Sequence, residues 1–458
     1  MNNSGMMITS TDEGSSIPGG RCGYSFEGDS EAIGAYSCWR PSWQDTGRCV
    51  WHAERANKPP SVLAAARTDY PERLDGAYLR NASIDSNVSF ADCTLRNACL
   101  TNANLQNIDC SRADFSGANC IGCDLSDSVL DAACIDGATL DRADFSHVSG
   151  AEATLVDATL VGADLSHARF EEADLSEADF TDATLSNTTL RRARLCEARF
   201  VDATLKETLL VKTDLSEANL EYAAMIRTDL RGADLTGVHF YGTVHDNCRI
   251  DHRTTLDGVC SYEQMVPEGT SLRTVVTDGD VDLLDKAIWT YGALQTISRE
   301  NKLNQQASDY YVRQHDTQRR QVRARGQYLR WAKAEGARWV MQYGEGIWNV
   351  VYTALAVIVL STLLYPLSVV GGLRRPSSGA VLTYATGGSL DLLTITGLGN
   401  LLSVLAESFY FSVVTFTTLG YGDWIPLGYS KGIAMAESLI GTFIVSILIY
   451  VLARRVMW

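Results

Sequence analysis

Residues 161–180 read VGADL-SHARF-EEADL-SEADF, four consecutive five-residue units, each ending in Leu or Phe with an Ala two places before it. The spacing continues in both directions. From Phe90 to Phe240 every fifth position, 31 in all, holds a large apolar residue except at Cys110, Cys120 and Gly150. Three earlier units, centred on Leu74, Leu79 and Ile84, precede a one-residue slip. A period of five would scatter these residues around an α-helix and flip them between the two faces of a strand. A chain that turns a corner after every five residues accommodates it. The large residue and the small one two before it then point inward, and the other three outward.

With triplets such as Ala163-Asp164-Leu165, Ala173-Asp174-Leu175 and Ala233-Asp234-Leu235, the segment from Leu74 to Phe240 resembles the pentapeptide-repeat family. The resemblance implies a right-handed quadrilateral β-helix with four repeats per coil. About 34 repeats would make about eight coils, and a strand spacing of ~4.8 Å would give a rod roughly 40 Å long. Repeat solenoids serve as scaffolds and docking surfaces far more often than as catalysts.

The chain of 458 residues has room for several domains, and its charge is unevenly divided. The last 112 residues, from Ile347, carry a net +1, so the other 346 carry −17 of the total −16. An acidic soluble part argues against nucleic-acid binding, which needs a basic footprint. Residues 1–20 are polar, read as a flexible N-terminus, and lack the apolar run of a secretory signal. The soluble part is therefore expected in the cytoplasm, where cysteines are thiols or metal ligands.

Residues 21–70 hold Cys22, Cys38, Cys49 and His52, spaced C-x15-C-x10-C-x2-H among Trp39, Trp43 and Trp51. These are four good Zn2+ ligands in a segment with little aliphatic core, the setting in which a closed structural zinc site supplies stability. Free thiols capping the rod are the alternative. Cys120 and Cys123 fall in repeat register at inward positions and read as small core fillers. His245, Cys248, His252 and Cys260 form a looser cluster.

The repeats are assigned to 71–242, an irregular cap to 243–280, and a cytoplasmic linker helix to 281–346. Between Arg313 and Arg338 that linker gathers Arg319, Arg320, Arg323, Arg325, Arg330 and Lys333, a composition suited to an anionic lipid surface. Residues 347–458 follow as a membrane domain. Ile347 to Val370 is uncharged, and Ile433 to Ala453 is interrupted only by Glu437. Both are long enough to cross ~30 Å of hydrocarbon. Basic residues before the first run and after the second predict that both ends are cytoplasmic. Leu401 to Phe416 is shorter and reads as a re-entrant helix. Irregular backbone at membrane depth is tolerated where it lines a pore.

The loop after that helix, Thr417-Thr418-Leu419-Gly420-Tyr421-Gly422-Asp423, resembles the potassium-channel signature with Leu419 where valine is usual. The resemblance implies a two-transmembrane pore domain, assembled as a homotetramer, that conducts K+ as its permeant ion. Four copies of Thr418, Leu419, Gly420, Tyr421, Gly422 and Asp423 would form the selectivity filter, with carbonyl oxygens replacing the ion's water shell. Thr418 would lie at the inner end, Tyr421 would brace the loop, and Asp423 would sit at the outer mouth. The family's pore-helix glutamate is replaced by Val414, leaving Trp424 or Tyr410 to brace Asp423. Gly441 matches the place where related channels bend, and would be a gating hinge or a packing glycine. Glu437, an inner-helix carboxylate, would face the pore or hydrogen-bond behind the pore helix.

No apolar run carries regularly spaced arginines, so no voltage sensor of the usual kind is expected, and no glycine-rich nucleotide-binding turn is present. The reading is thus a multidomain potassium-selective channel, not an enzyme, in a lipid bilayer, with an unknown cytoplasmic ligand or protein on the repeats. The alternatives are a less selective cation channel or a membrane-anchored acidic scaffold resembling DNA-mimicking repeat modules.

Overall fold

The computed structural model describes residues 20–26, 36–68, 70–256, 262, 283–367, 370–383 and 395–457. It divides into two compact units, Met1–Gln314 and His315–Trp458. The expected flexible segment 1–20, save its last residue, lies outside the described residues, as do Cys260 and most of the expected cap.

The first unit is built on a parallel ladder in which each residue pairs with one 20 positions on, as in Asp144↔Asp164 and Asp164↔Thr184. Four five-residue sides therefore make one coil. Stacked Phe180 and Phe200 lie 4.8 Å apart, as do His147 and His167 on the outside. These separations are the interstrand distance of a β-sheet. Leucines, phenylalanines and alanines at the inward positions are almost wholly buried, Leu165, Phe170 and Leu175 completely so.

The corners explain the outward triplets. The residue two after each central Leu or Phe takes a left-handed φ, such as 55° at Asn97 and 61° at Glu177. The Ala98 amide donates to Leu95 O across the corner at 3.1 Å, as in a type II turn. Many corner residues are not glycine, a strain of order 1 kcal/mol each. Their amides offset it by donating to the next coil, Asn97 to Ser116 O and Glu177 to Cys196 O, both at 2.9 Å.

Departures from the pattern have local causes. Gly150 has no room for a side chain, because a Cβ there would lie 2.5 Å from Phe170 Cε1, and the Phe170 ring fills the space. At the small inward position, threonines satisfy their hydroxyls by donating to a carbonyl 23 residues back, as Thr188 does to Leu165 O at 2.7 Å. Cys123 does the same to Leu100 O at 2.7 Å and Cys248 to Met225 O at 3.0 Å. Both cysteines are core fillers, and Cys248 is thereby kept out of the looser cluster considered for metal.

The ladder runs from Arg73 to Thr255, with steps of 21 residues at its two ends, Arg73↔Thr94 and Asp234↔Thr255. The coil thus continues past 242. Strands β3 (Ala224–Ile226) and β4 (Val244–Asp246) pair in parallel there, because main-chain pairing does not need the Leu that His245 replaces.

At the N-terminal end, a hairpin of β1 (Ser25–Phe26) and β2 (Tyr36–Ser37) precedes α1 (Pro60–Ala66). Trp51 is fully buried, its ring edge-on to Phe90 at 6.1 Å, and its carbonyl accepts the Tyr78 amide at 2.7 Å. At the other end, α2 (Leu283–Glu300) buries Ala287, Tyr291, Leu294 and Ile297, a helical stripe that joins the solenoid core. Asn301 closes the last coil, donating to Cys248 O at 2.7 Å and accepting from Ile250 N at 3.1 Å.

The expected single linker helix over 281–346 is therefore three helices. After α2 come α3 (Asn304–Ala324) and α4 (Tyr328–Met341). They are separated by Lys302 and Gly326, whose left-handed φ values of 60° and 72° end a right-handed helix.

In the second unit, Arg319 is almost buried and pairs with Asp316 at 3.0 Å and Glu335 at 2.7 Å. Part of the basic cluster is thus neutralised within the protein. Helix α5 (Ile347–Leu364) ends at Tyr365-Pro366, six residues short of the apolar run's end: Tyr365 keeps helical angles and its amide still donates to Ser361 O, but Pro366 has no N–H with which to continue the ladder. Helix α6 (Ile395–Phe416) starts six residues earlier than expected, and α7 (Ser430–Met457) completes the bundle. Two short strands, β5 (Leu373–Arg374) and β6 (Val381–Leu382), join β7 (Ile425–Pro426) in an antiparallel sheet, order β6-β5-β7.

Candidate ion-conduction site

The loop in question leaves the C-terminus of α6. The Thr417, Thr418 and Leu419 amides donate to Val413 O, Thr415 O and Val414 O at 3.0–3.1 Å, so the last turn of the helix feeds directly into the loop. Alternate residues then take left-handed φ: 57° at Thr418, 56° at Gly420 and 76° at Gly422. A β-carbon penalises this conformation, which glycine adopts freely. The loop also lies at the negative end of the α6 dipole, where cations are favoured.

Beyond Gly422 the loop is tied down by side chains. The Tyr410 hydroxyl, from the middle of α6, donates to Asp423 Oδ2 at 2.9 Å. Trp424 is nearly buried, its indole N–H donating to Glu407 Oε2 at 3.2 Å and its ring facing the Arg375 guanidinium at 5.6 Å. The Val414 side chain is buried and offers no hydrogen bond. Tyr410 and Trp424 thus share the bracing left open by that valine, Trp424 through Glu407 rather than Asp423. Leu419 and Tyr421 are 60% and 64% exposed on the single chain.

Behind the loop lies a polar node at which three helices meet. Glu437 of α7 is 2% exposed. Its carboxyl oxygens take hydrogen bonds from the hydroxyls of Tyr365, at the end of α5, and Ser412 of α6. Ser412 Oγ also lies 3.1 Å from Ile358 O. Of the two positions open to it from the sequence, Glu437 occupies the one behind the helix. One turn on, a Cβ at Gly441 would lie 2.1 Å from Phe416 O. The glycine lets α7 pass against the end of α6, a packing role.

Helix α5 and residues Ser430–Arg454 of α7 are long and apolar enough to cross a membrane. The remaining sequence-expected ligands, Cys22, Cys38, Cys49 and His52, converge at the far N-terminal end, all buried. Glu407, which holds Trp424 beside the loop, carried no signal in the sequence, because its partner lies 17 residues further along the chain.

Eight copies of the pentapeptide repeat match within residues 108–146, 158–197 and 198–237, and an ion channel family model matches residues 380–457. The chain therefore combines pentapeptide repeats with an ion-channel domain, neither of them an enzyme family, and is a membrane protein. Among curated relatives, Protein LctB of Geobacillus stearothermophilus is 41% identical over 51 residues, 11% of this chain and 38% of that protein. Protein LctB of Bacillus caldotenax is 40% identical over 48 residues, 10% of this chain and 36% of that one. The chain thus spans little more than a third of the length of these relatives.

Among solved structures, HetL, a pentapeptide repeat protein of the cyanobacterium Nostoc sp. involved in heterocyst differentiation regulation, is 25% identical. The likeness covers 43% of this chain and 94% of HetL, with a TM-score of 0.21. QnrB1, a plasmid-mediated fluoroquinolone resistance protein, is 18% identical, with 40% and 89% covered and a TM-score of 0.27.

Proposed function

We propose that this chain is one of four identical subunits of a potassium-selective channel that crosses the bilayer twice per subunit, with both chain ends in the cytoplasm. The observation that carries this reading is the alternating left-handed backbone at Thr418, Gly420 and Gly422, leaving a helix C-terminus between two membrane-length helices. One chain supplies one wall of carbonyls, and a cage that replaces potassium's water shell needs four. Leu419 and Tyr421, exposed on one chain, would pack against neighbouring subunits. K+ enters as the permeant ion and no bond is made or broken.

The solenoid acts as a cytoplasmic docking surface for gating or assembly. The purified protein in liposomes is expected to pass K+ far faster than Na+. Gly420→Ala, which adds a β-carbon to a left-handed residue, is expected to abolish the preference. A Gly420→Ala channel that conducts with unchanged selectivity overturns the filter assignment.

A further inference from the structure

Cys22, Cys38, Cys49 and His52 come from three separate pieces of chain, yet their ligand atoms lie within 4.8 Å of one another. Cys22 lies just before β1, Cys38 just after β2, and Cys49 and His52 flank one tight turn, in which the His52 and Ala53 amides donate to Cys49 O at 3.1 and 2.9 Å. His52 Nδ1 is 3.4 Å from Cys22 Sγ and 3.2 Å from Cys49 Sγ, and Cys38 Sγ is 3.9 Å from Cys49 Sγ. A tetrahedron with metal–sulfur bonds of about 2.3 Å and a metal–nitrogen bond of about 2.0 Å has edges of roughly 3.5–3.8 Å. The three observed contacts, 3.2, 3.4 and 3.9 Å, bracket that size. A disulfide between Cys38 and Cys49 would instead need the sulfurs about 2 Å apart.

The surroundings are those of a metal centre rather than of three apolar thiols. His52 turns Nδ1 to the sulfurs and keeps Nε2 3.1 Å from Asp75 O. This outer hydrogen bond fixes tautomer and ring orientation for a ligating imidazole. Tyr24 stacks on the ring at 4.1 Å, 1° from parallel. Three thiolates and a dication leave one negative charge, and Arg40 stands beside it, Nη1 3.7 Å from Cys38 Sγ and Nη2 3.0 Å from Glu72 Oε1. All four ligand residues are buried, between 2% and 4% exposed.

From this geometry we infer that the four residues bind one Zn2+ in a closed, structural Cys3His site. Three soft thiolates and one imidazole at tetrahedral separation suit zinc and leave no open position for a substrate. The site does a definite job in the fold. It ties the β1–β2 hairpin to the Cys49–His52 turn, and through His52 and Asp75 O it fastens both to the first coil, which Trp51 also caps. Zinc thus closes the N-terminal end of the solenoid, where an open coil would otherwise expose its core and its unpaired edge.

The test is elemental analysis of the full-length protein, purified in detergent without chelators from zinc-supplemented cells. About one zinc per chain is expected. Cys49→Ser and His52→Ala should lose it, and Cys196→Ser, outside the cluster, should retain it. If either ligand variant fails to fold, the wild-type stoichiometry decides the matter alone. Removing zinc from the wild-type chain should raise hydrogen exchange over residues 20–80 while leaving residues 140–200 protected. A folded wild-type chain with no zinc, one holding iron in its place, or one with a Cys38–Cys49 disulfide overturns the inference.

Discussion

Tyr410→Phe removes one oxygen atom from the protein and, with it, the bond that holds Asp423. The hydroxyl donates to Asp423 Oδ2 at 2.9 Å. A hydrogen bond to a charged acceptor contributes about 1.5–3 kcal/mol, and the lower end applies where water competes. Tyr410 is 40% exposed on one chain, so solvent screening discounts even that lower end, to about 1 kcal/mol per subunit, a factor of roughly 5 in an equilibrium constant. If four loops move together, the ratio of conducting to non-conducting filters should fall by more than fivefold. Single-channel recording at fixed potassium measures that ratio directly, as open time against long closures that originate at the filter. Tyr410→Trp places an indole N–H in the same region and should restore much of the loss. A Tyr410→Phe channel whose long closures stay within twofold of wild type would refute the bracing argument.

Glu437 is buried within a single chain, so Glu437→Gln is expected to leave unitary conductance unchanged in the same recordings. Glu437→Ala takes the acceptor from the buried Tyr365 hydroxyl, whereas Ser412 can still donate to Ile358 O, and should destabilise the bundle by about 1–3 kcal/mol, measured as thermal unfolding in detergent. Restoring the repeat consensus with Gly150→Leu should destabilise the solenoid, by about 1–3 kcal/mol as overpacking does, and Phe170→Leu in the same chain should recover part of the loss in a denaturant titration. At the other end of the rod, burial pushes the Glu221 carboxyl up, but the Lys286 ammonium at 2.8 Å and the Tyr262 hydroxyl at 2.6 Å outweigh it and hold it below the ordinary 4.5. Its contribution is therefore fully present above that value and lost as pH falls through the lowered one. Glu221→Gln should flatten the acid limb of the stability profile.

The solenoid was legible because its rule is local and repeated: Leu, Phe and Ala at fixed steps report the inward face, and the step of five fixes the corner. Its ends were less so. The coil running on to Thr255 rests on main-chain pairing, which places no demand on residue type, so His245 concealed it. The stop at Tyr365-Pro366 and the break near Gly326 carried signals in the sequence, whereas the break at Lys302 depends on a left-handed lysine that composition does not reveal. In the site, the two glycines and the helix before them were readable from spacing. The Tyr410–Asp423 bond was foreseeable only as one of two options, because a hydrogen bond between residues 13 apart depends on how a helix end and a loop are aimed. The convergence of Cys22 with His52 was readable as a ligand set, but its fastening to Asp75 O was not, since a backbone carbonyl has no letter in the sequence.

The 20-residue ladder also limits how such a chain can grow. Inserting or deleting a single pentapeptide leaves every inward residue inward, yet rotates all that follows by a quarter turn and presents a different wall of the square to any given direction. Only a change of four units restores the orientation, and it moves the downstream surface by one rung, the 4.8 Å between Phe180 and Phe200. Duplication in steps of 20 residues is therefore a ruler with azimuth conserved, and steps of five are a dial. The one-residue slips sit at the first and last coils, where little of the ladder lies beyond them to be turned out of register.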